Sequence, residues 1–281
     1  MRMQSKSNLL LIYTGGTIGM MKDFESGALK AFNFKELLQK IPELQQLDCT
    51  IETISFEKPI DSSNISPSQW VTLATIIEQN YAAFDGFVVL HGSDTMSYSA
   101  SALSFMLENL NKPVVFTGSQ LPIGDLRTDA KENLITAIQI ASLNQNGKSV
   151  IQEVCLYFEY KLYRGNRTTK INAEHFNAFT SPNYPPLVES GVHLKINPNT
   201  ILQKKAIKNG LHIINVTQCS GGSVNMGQYE TSTQLKKIGV ISGKDITTEA
   251  AITKLMYLLG QKVSPAVFKT IFETSLCGEM Q

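Results

Sequence analysis

The sequence predicts an α/β fold, with a large N-terminal domain whose mostly parallel sheet is flanked by helices and a smaller C-terminal α/β domain. Three observations carry this. Short apolar runs bounded by turn residues alternate with segments of helical period. At 281 residues and 42% hydrophobic content, the chain exceeds the usual size of a single core. A polar stretch containing Pro182, Pro185 and Pro186 separates a long series of such alternations from a shorter one.

Leu9–Tyr13, Cys49–Phe56, Gly86–Leu90 and Val114–Thr117 read as strands, each followed by a helical segment: Phe34–Ile41, Ser66–Tyr81, Ser97–Leu110 and Asp129–Ser142. Repeated βα is the pattern of a parallel sheet covered on both faces. The second helix has the clearest ends, with Ser66 at the cap, Pro67 at the first position and the Asp85-Gly86 turn beyond it. Ile151–Phe158 reads as another strand, and Tyr160 to Asn197 as irregular. The domain boundary is expected near Pro198, giving 1–197 and 198–281. The second part holds one buried strand, Leu211–Val216, and helices near Thr247–Gly260 and Pro265–Leu276.

Composition narrows the function. A formal net charge of +1, with Lys and Arg dispersed, provides no field for collecting nucleic acid. Leu9–Tyr13 is too short for a signal segment, and no run approaches the roughly 18 apolar residues of a membrane span. Cys49, Cys155, Cys219 and Cys277 form no CxxC pair, so neither a zinc site nor a disulfide framework is expected and a reducing cytoplasm fits.

Functional residues of an open parallel sheet gather where strands exit at their carboxyl ends. Here those exits are rich in hydroxyls: Thr14-Gly15-Gly16-Thr17-Ile18-Gly19, Ile60-Asp61-Ser62-Ser63-Asn64, His91-Gly92-Ser93-Asp94-Thr95 and Thr117-Gly118-Ser119-Gln120. The glycine pair lets the backbone turn sharply next to a ligand, while β-branched Thr17 has few χ1 choices. Taken alone, Thr17 reads more readily as a turn residue, Ser93 or Asp94 equally well as a helix cap, and Lys170 as a solvated loop lysine. Together they supply what a threonine nucleophile requires, with Lys170 able to take a proton from a hydroxyl and Asp94 balancing its charge.

TGGTIG, HGSDTMSYSA, TGSQLP and YRGNRTTK, in this order, resemble the bacterial type I L-asparaginase family from Leu9 to about Asn197 and again from Leu211 to Gly260. The resemblance implies a cytoplasmic amidohydrolase converting L-asparagine to L-aspartate and ammonia, with Thr17 as nucleophile and Ser93, Asp94 and Lys170 as a second catalytic cluster. It further implies that Asp61 and Ser62, with Ser63 beside them, hold the substrate's α-carboxylate and amino groups, and that Gln120 lines the pocket. No metal or organic cofactor is implied, and a homodimer or homotetramer is. Thr169 and Cys219 match the effector region of the type I relatives, with a buried structural cysteine as the equal alternative. Two other readings are an amino-acid-binding regulatory module and a glutamyl-tRNA amidotransferase subunit; that relative carries an extra N-terminal domain, whereas this chain starts at its first strand.

The chain departs from the family pattern in three places. Ser93 stands where threonine is usual. The tyrosine often found shortly after TGGTIG is absent from Met20 to Ala28, and Tyr229, in a glycine-rich loop, is the candidate replacement as proton relay. Members also carry several tens more residues between the equivalents of Ile201 and Ala206, including a strand and an asparagine-bearing loop. Either that segment is truly missing or the numbering closes over it; the second is the expectation, which leaves the second domain incomplete between 201 and 206.

Overall fold

In the computed structural model, residues 6–22, 29–31, 41–201, 214–216, 222–224, 241–261 and 263–281 are described. Strand β1, Ser7–Gly15, is buried from Leu9 onward because both of its faces are covered. Its side chains alternate: Leu9, Leu11 and Tyr13 join one core with Leu134, Ala137 and Ile138, while Leu10 and Ile12 join another with Leu73, Ile77, Ala100 and Leu103. These partners come from helix α1, Pro67–Asn80, helix α2, Met96–Met106, and helix α3, Ala130–Ala141. The expected start of α1 is present, with Pro67 in its first turn and Gln69 Oε1 accepting from Ser66 N at 2.6 Å.

The remaining strands of the main sheet are β2, Cys49–Ile60; β3, Gly86–Leu90; β4, Val114–Thr117; β5, Val154–Phe158; β6, Lys161–Arg164; β7, Val188–Ser190; and β8, Leu194–Ile196. Their spatial order is 8-7-6-5-4-3-1-2. β2, β1, β3, β4 and β5 run parallel, and β6, β7 and β8 extend the sheet antiparallel.

That extension corrects the reading of Tyr160 to Asn197 as irregular. Its strands are three or four residues long and its prolines lie in the connections, so no run is long enough to show period-two alternation. Gly86–Leu90 and Val114–Thr117 lie where the sequence put them; the strand expected over Ile151–Phe158 begins at Val154, and the helix expected over Ser97–Leu110 ends at Met106. Of the segment Phe34–Ile41, residues 34–40 lie outside the described residues. A short antiparallel pair, Met20–Lys22 with Leu29–Ala31, follows the glycine loop and was not foreseen.

In the second part, Ile214–Asn215 pairs in parallel with Ile241–Ser242, while residues 211–213 lie outside the described residues. Helices α4, Thr248–Gly260, and α5, Pro265–Phe272, enclose a third core with Ile246, Ala250, Leu258, Phe268 and Phe272. The C-terminal turn is held by a fully buried pair, Lys254 with Glu279, and Lys254 Nζ also donates to the Phe272 and Thr274 carbonyls at 2.9 Å each.

Two arginines join this turn to the main sheet. Arg164 Nε pairs with Glu153 Oε2 at 2.6 Å, both side chains 4% exposed, while its terminal nitrogens donate to Thr200 O and Gly278 O. Arg167 pairs with Asp245 at 2.8 Å and donates to the same Gly278 carbonyl. A buried guanidinium is tolerated only where its fork is met by acceptors, so these contacts fix the backbone from Arg164 to Arg167, three residues before Lys170.

Candidate active site

The sheet order reverses at β1, which has β2 on one side and β3 on the other; such a switch point opens a crevice beyond the carboxyl ends of the strands. The glycine pair lies there. Gly15 has φ +138° and a Cβ on it would come within 2.2 Å of Ile60 O; Gly16 has φ +89° and its Cβ would come within 2.5 Å of Gly92 N. Only residues without a side chain admit this approach of three loops. Thr17 and Ser93, each following one of the touching glycines, are thereby on adjacent loops.

Thr17 opens a single 3-10 turn, Thr17–Gly19. Ser62, 4% exposed, packs its Oγ against Gly92, and its carbonyl accepts from Thr95 Oγ1 at 2.7 Å. Asp61 accepts from Ser63 N at 3.0 Å and Ser63 Oγ at 2.8 Å, and these bonds hold its carboxyl below the usual range. Ser63 therefore orients Asp61.

The second cluster closes across the sheet. Lys170, in the two-residue strand Thr169–Lys170 paired with Phe179–Thr180, donates to Ser93 Oγ at 2.8 Å and to Asp94 Oδ1 at 2.7 Å. Its side chain is 15% exposed, unlike a solvated loop lysine, whereas Asp94 is 61% exposed. Ser93 in turn donates to Gln120 Oε1 at 3.1 Å. Thr169 donates to Glu249 Oε1 at 2.5 Å; Cys219 and Tyr229 lie outside the described residues. Among the described residues, Cys49, Cys155 and Cys277 are free thiols and no group of three or more His, Cys, Asp or Glu is arranged to hold a metal. No helix among them is long and apolar enough to cross a membrane.

Sequence reasoning missed His91. Its Nδ1 faces the Gly92 carbonyl at 2.7 Å and its Nε2 faces Ser99 Oγ at 2.9 Å, which also accepts from Trp70 Nε1 at 2.9 Å. Burial pushes the His91 pKa down to about 4 and keeps the imidazole neutral. An indole N–H only donates and a carbonyl only accepts, so with a neutral ring the donors run from Trp70 to Ser99, from Ser99 to Nε2, and from Nδ1–H to Gly92 O. His91 thus holds the carbonyl immediately before Ser93. Its sole clue in the sequence was its place beside Gly92.

A hydroxyl-bearing glycine loop thus adjoins a hydroxyl–lysine–carboxylate cluster at a sheet switch point, and the comparisons identify the family. The profile described as Asparaginase, N-terminal matches residues 8–202, and that described as Glutaminase/Asparaginase C-terminal domain matches residues 171–272. The chain belongs to the asparaginase family. It is 37% identical to L-asparaginase 1 of Escherichia coli over 340 aligned positions, covering 99% of each chain. The crystal structure of L-asparaginase I from Vibrio cholerae superposes with a TM-score of 0.86 at 35% identity, covering 98% of this chain and 99% of that one. The thermostable L-asparaginase from Thermococcus kodakarensis superposes at 0.84 with 28% identity, covering 98% and 99%. The 340 aligned positions exceed the 281 residues by 59, so at least that many positions of the relative, summed over the alignment, face no residue here.

The His91 pKa has a consequence for stability. The unfolded imidazole, near 6.5, takes its proton before the folded one, near 4, so His91's contribution is full above pH 6.5 and is lost as pH falls toward 4. The loss amounts to about 3 kcal/mol. Urea unfolding between pH 7 and 4.5 is expected to show this slope in the wild type and a flatter one in His91→Gln; equal slopes would remove the assignment.

Proposed function

We propose that the chain is an L-asparaginase, hydrolysing L-asparagine to L-aspartate and ammonia through a threonine ester. The observation that carries this reading is the Lys170–Ser93–Asp94 cluster on loops adjoining the glycine turn of Thr17. The 37% identity over full length to a curated L-asparaginase supports it.

Thr17 Oγ1 attacks the side-chain amide carbon, forming the C–O bond while its proton moves toward the amide nitrogen, and backbone N–H groups stabilise the oxyanion. Collapse breaks the C–N bond, and the nitrogen leaves as ammonia after gaining a proton. A β-aspartyl ester on Thr17 remains. Water, deprotonated through Ser93 and Lys170 with Asp94 balancing the charge, then attacks the ester and restores the Thr17 hydroxyl. Asp61 and Ser62 take the substrate's α-amino and α-carboxylate groups, with Ser63 acting through Asp61, where its two bonds keep the carboxylate ionised. The division at Pro198, read from the proline-containing polar stretch, the cytoplasmic setting, read from the unpaired spacing of the cysteines, and an effector role for Thr169, implied by the family resemblance, belong to the same reading.

Thr17→Ala is expected to lower ammonia release by roughly 10³-fold or more with an unchanged circular dichroism spectrum, since the residue lies on a turn outside the core. Lys170→Met is expected to lose nearly all turnover yet bind aspartate in calorimetry. Wild-type turnover by Thr17→Ala contradicts the mechanism, and loss of aspartate binding in Lys170→Met with turnover kept reverses that residue's role. A homodimer or homotetramer is expected at micromolar concentration by light scattering, and a fully active monomer contradicts it.

A further inference from the structure

The Gln120 side chain touches both Ser93 and the loop that follows Lys170. Its amide nitrogen donates to Ala173 O at 2.9 Å and His175 O at 3.0 Å; carbonyls only accept, so the orientation of the amide is fixed. Its oxygen therefore faces Ser93 Oγ at 3.1 Å and takes that hydroxyl's hydrogen. Ser93 Oγ meanwhile accepts from Lys170 Nζ. Bonds run in one direction, from Lys170 to Ser93, from Ser93 to Gln120, and from Gln120 to the two carbonyls.

Those carbonyls lie on the loop that follows Lys170 and returns at Phe179. Within the loop, Asn172 Oδ1 accepts from Glu174 N and His175 N. Among the described residues, the hydrogen bonds that tie 173–175 to the rest of the molecule come from Gln120. A cavity of about 510 Å³ lined by Gln120, Arg127, Glu174 and Phe176 lies alongside, so no packed core backs the loop on that side. Gln120 is itself held: Asp129 accepts from Gln120 N at 2.9 Å and from Leu121 N at 3.1 Å, and its other neighbour Asn133 donates to it at 3.2 Å.

We propose that Gln120 is a positioning residue for the Ser93–Lys170 pair, its amide holding the loop after Lys170 and its oxygen aiming the Ser93 hydroxyl. It grips the cluster instead of the substrate. The catalytic consequence rests on the asparaginase reading; the contact itself does not. Ser93 lacks the methyl that restricts a threonine hydroxyl, so an external acceptor is what fixes its direction.

The experiment pairs kinetics with substrate-free hydrogen exchange on Gln120→Met, which keeps the length of the side chain and removes its polar atoms. Amide exchange in 171–178 rises at least about 10-fold, because local opening is no longer opposed. In the ammonia assay kcat falls about 10- to 100-fold while KM stays within about 3-fold, the pattern of a misplaced group and not of a lost substrate contact. Adding Ser93→Thr recovers part of the lost kcat. Should Gln120→Met misfold, Gln120→Glu serves, since its carboxylate faces two carbonyls and frees the loop in the same way. A raised KM with kcat intact, no recovery with Ser93→Thr, or unchanged exchange overturns the proposal. If the wild type releases no ammonia from asparagine, the asparaginase reading fails and the loop exchange alone decides the role of Gln120.

Discussion

Two backbones that touch without side chains between them set the geometry of the whole site. Where β1 and β3 leave the sheet, Gly16 and Gly92 are so close that a single Cβ would collide, and Gly15 stands in the same relation to Ile60. The parallel sheet brings the strand ends side by side, but side chains of ordinary size would hold the loops several ångströms apart. Removing them lets three loops share one small volume, with Thr17 and Ser93 one residue from a contact and Ser62 itself packed on Gly92. The 2-1-3-4-5 order of the parallel strands explains why this occurs at β1: the connection after β1 runs to β2 on one side, that after β3 runs to β4 on the other, and the crevice between these diverging connections is open to a ligand.

A second constraint acts from the far side of the sheet. Lys170 is useful only if its amine is held near Ser93, and a two-residue strand is too short to hold it alone. The preceding residues are anchored by Arg164 and Arg167, whose buried guanidinium groups are met by Glu153, Asp245 and the Gly278 carbonyl. The following loop is tied through Gln120. Charge burial thus converts the C-terminal turn, which carries none of the proposed chemistry, into a support for the lysine.

The parallel half of the fold was legible because its central strands are short, largely apolar runs with a helical segment after them, as in Gly86–Leu90 and Val114–Thr117. The antiparallel extension was not, since β6, β7 and β8 are too short to print an alternation. Ser93, Asp94 and Lys170 were found as parts of motifs, and their contact is a property of the sheet that no local pattern encodes. His91 and Gln120 escaped their present roles for a related reason: their partners, Ser99 and the 173–175 carbonyls, are brought near only by tertiary packing. The incompleteness expected between 201 and 206 falls on residues that, from 202 onward, lie outside the described residues.

The central claim is that Thr17 carries the acyl group and that Lys170 serves its removal. Intact-mass and peptide-mapping spectrometry of Lys170→Met, quenched in acid after mixing with asparagine, tests it most directly, because slowing hydrolysis of the ester leaves the intermediate on the protein. The account predicts the mass of one aspartyl group, mapped to the peptide bearing Thr17 and absent from Thr17→Ala/Lys170→Met. Ammonia release with no adduct, or an adduct on Ser93, would contradict it.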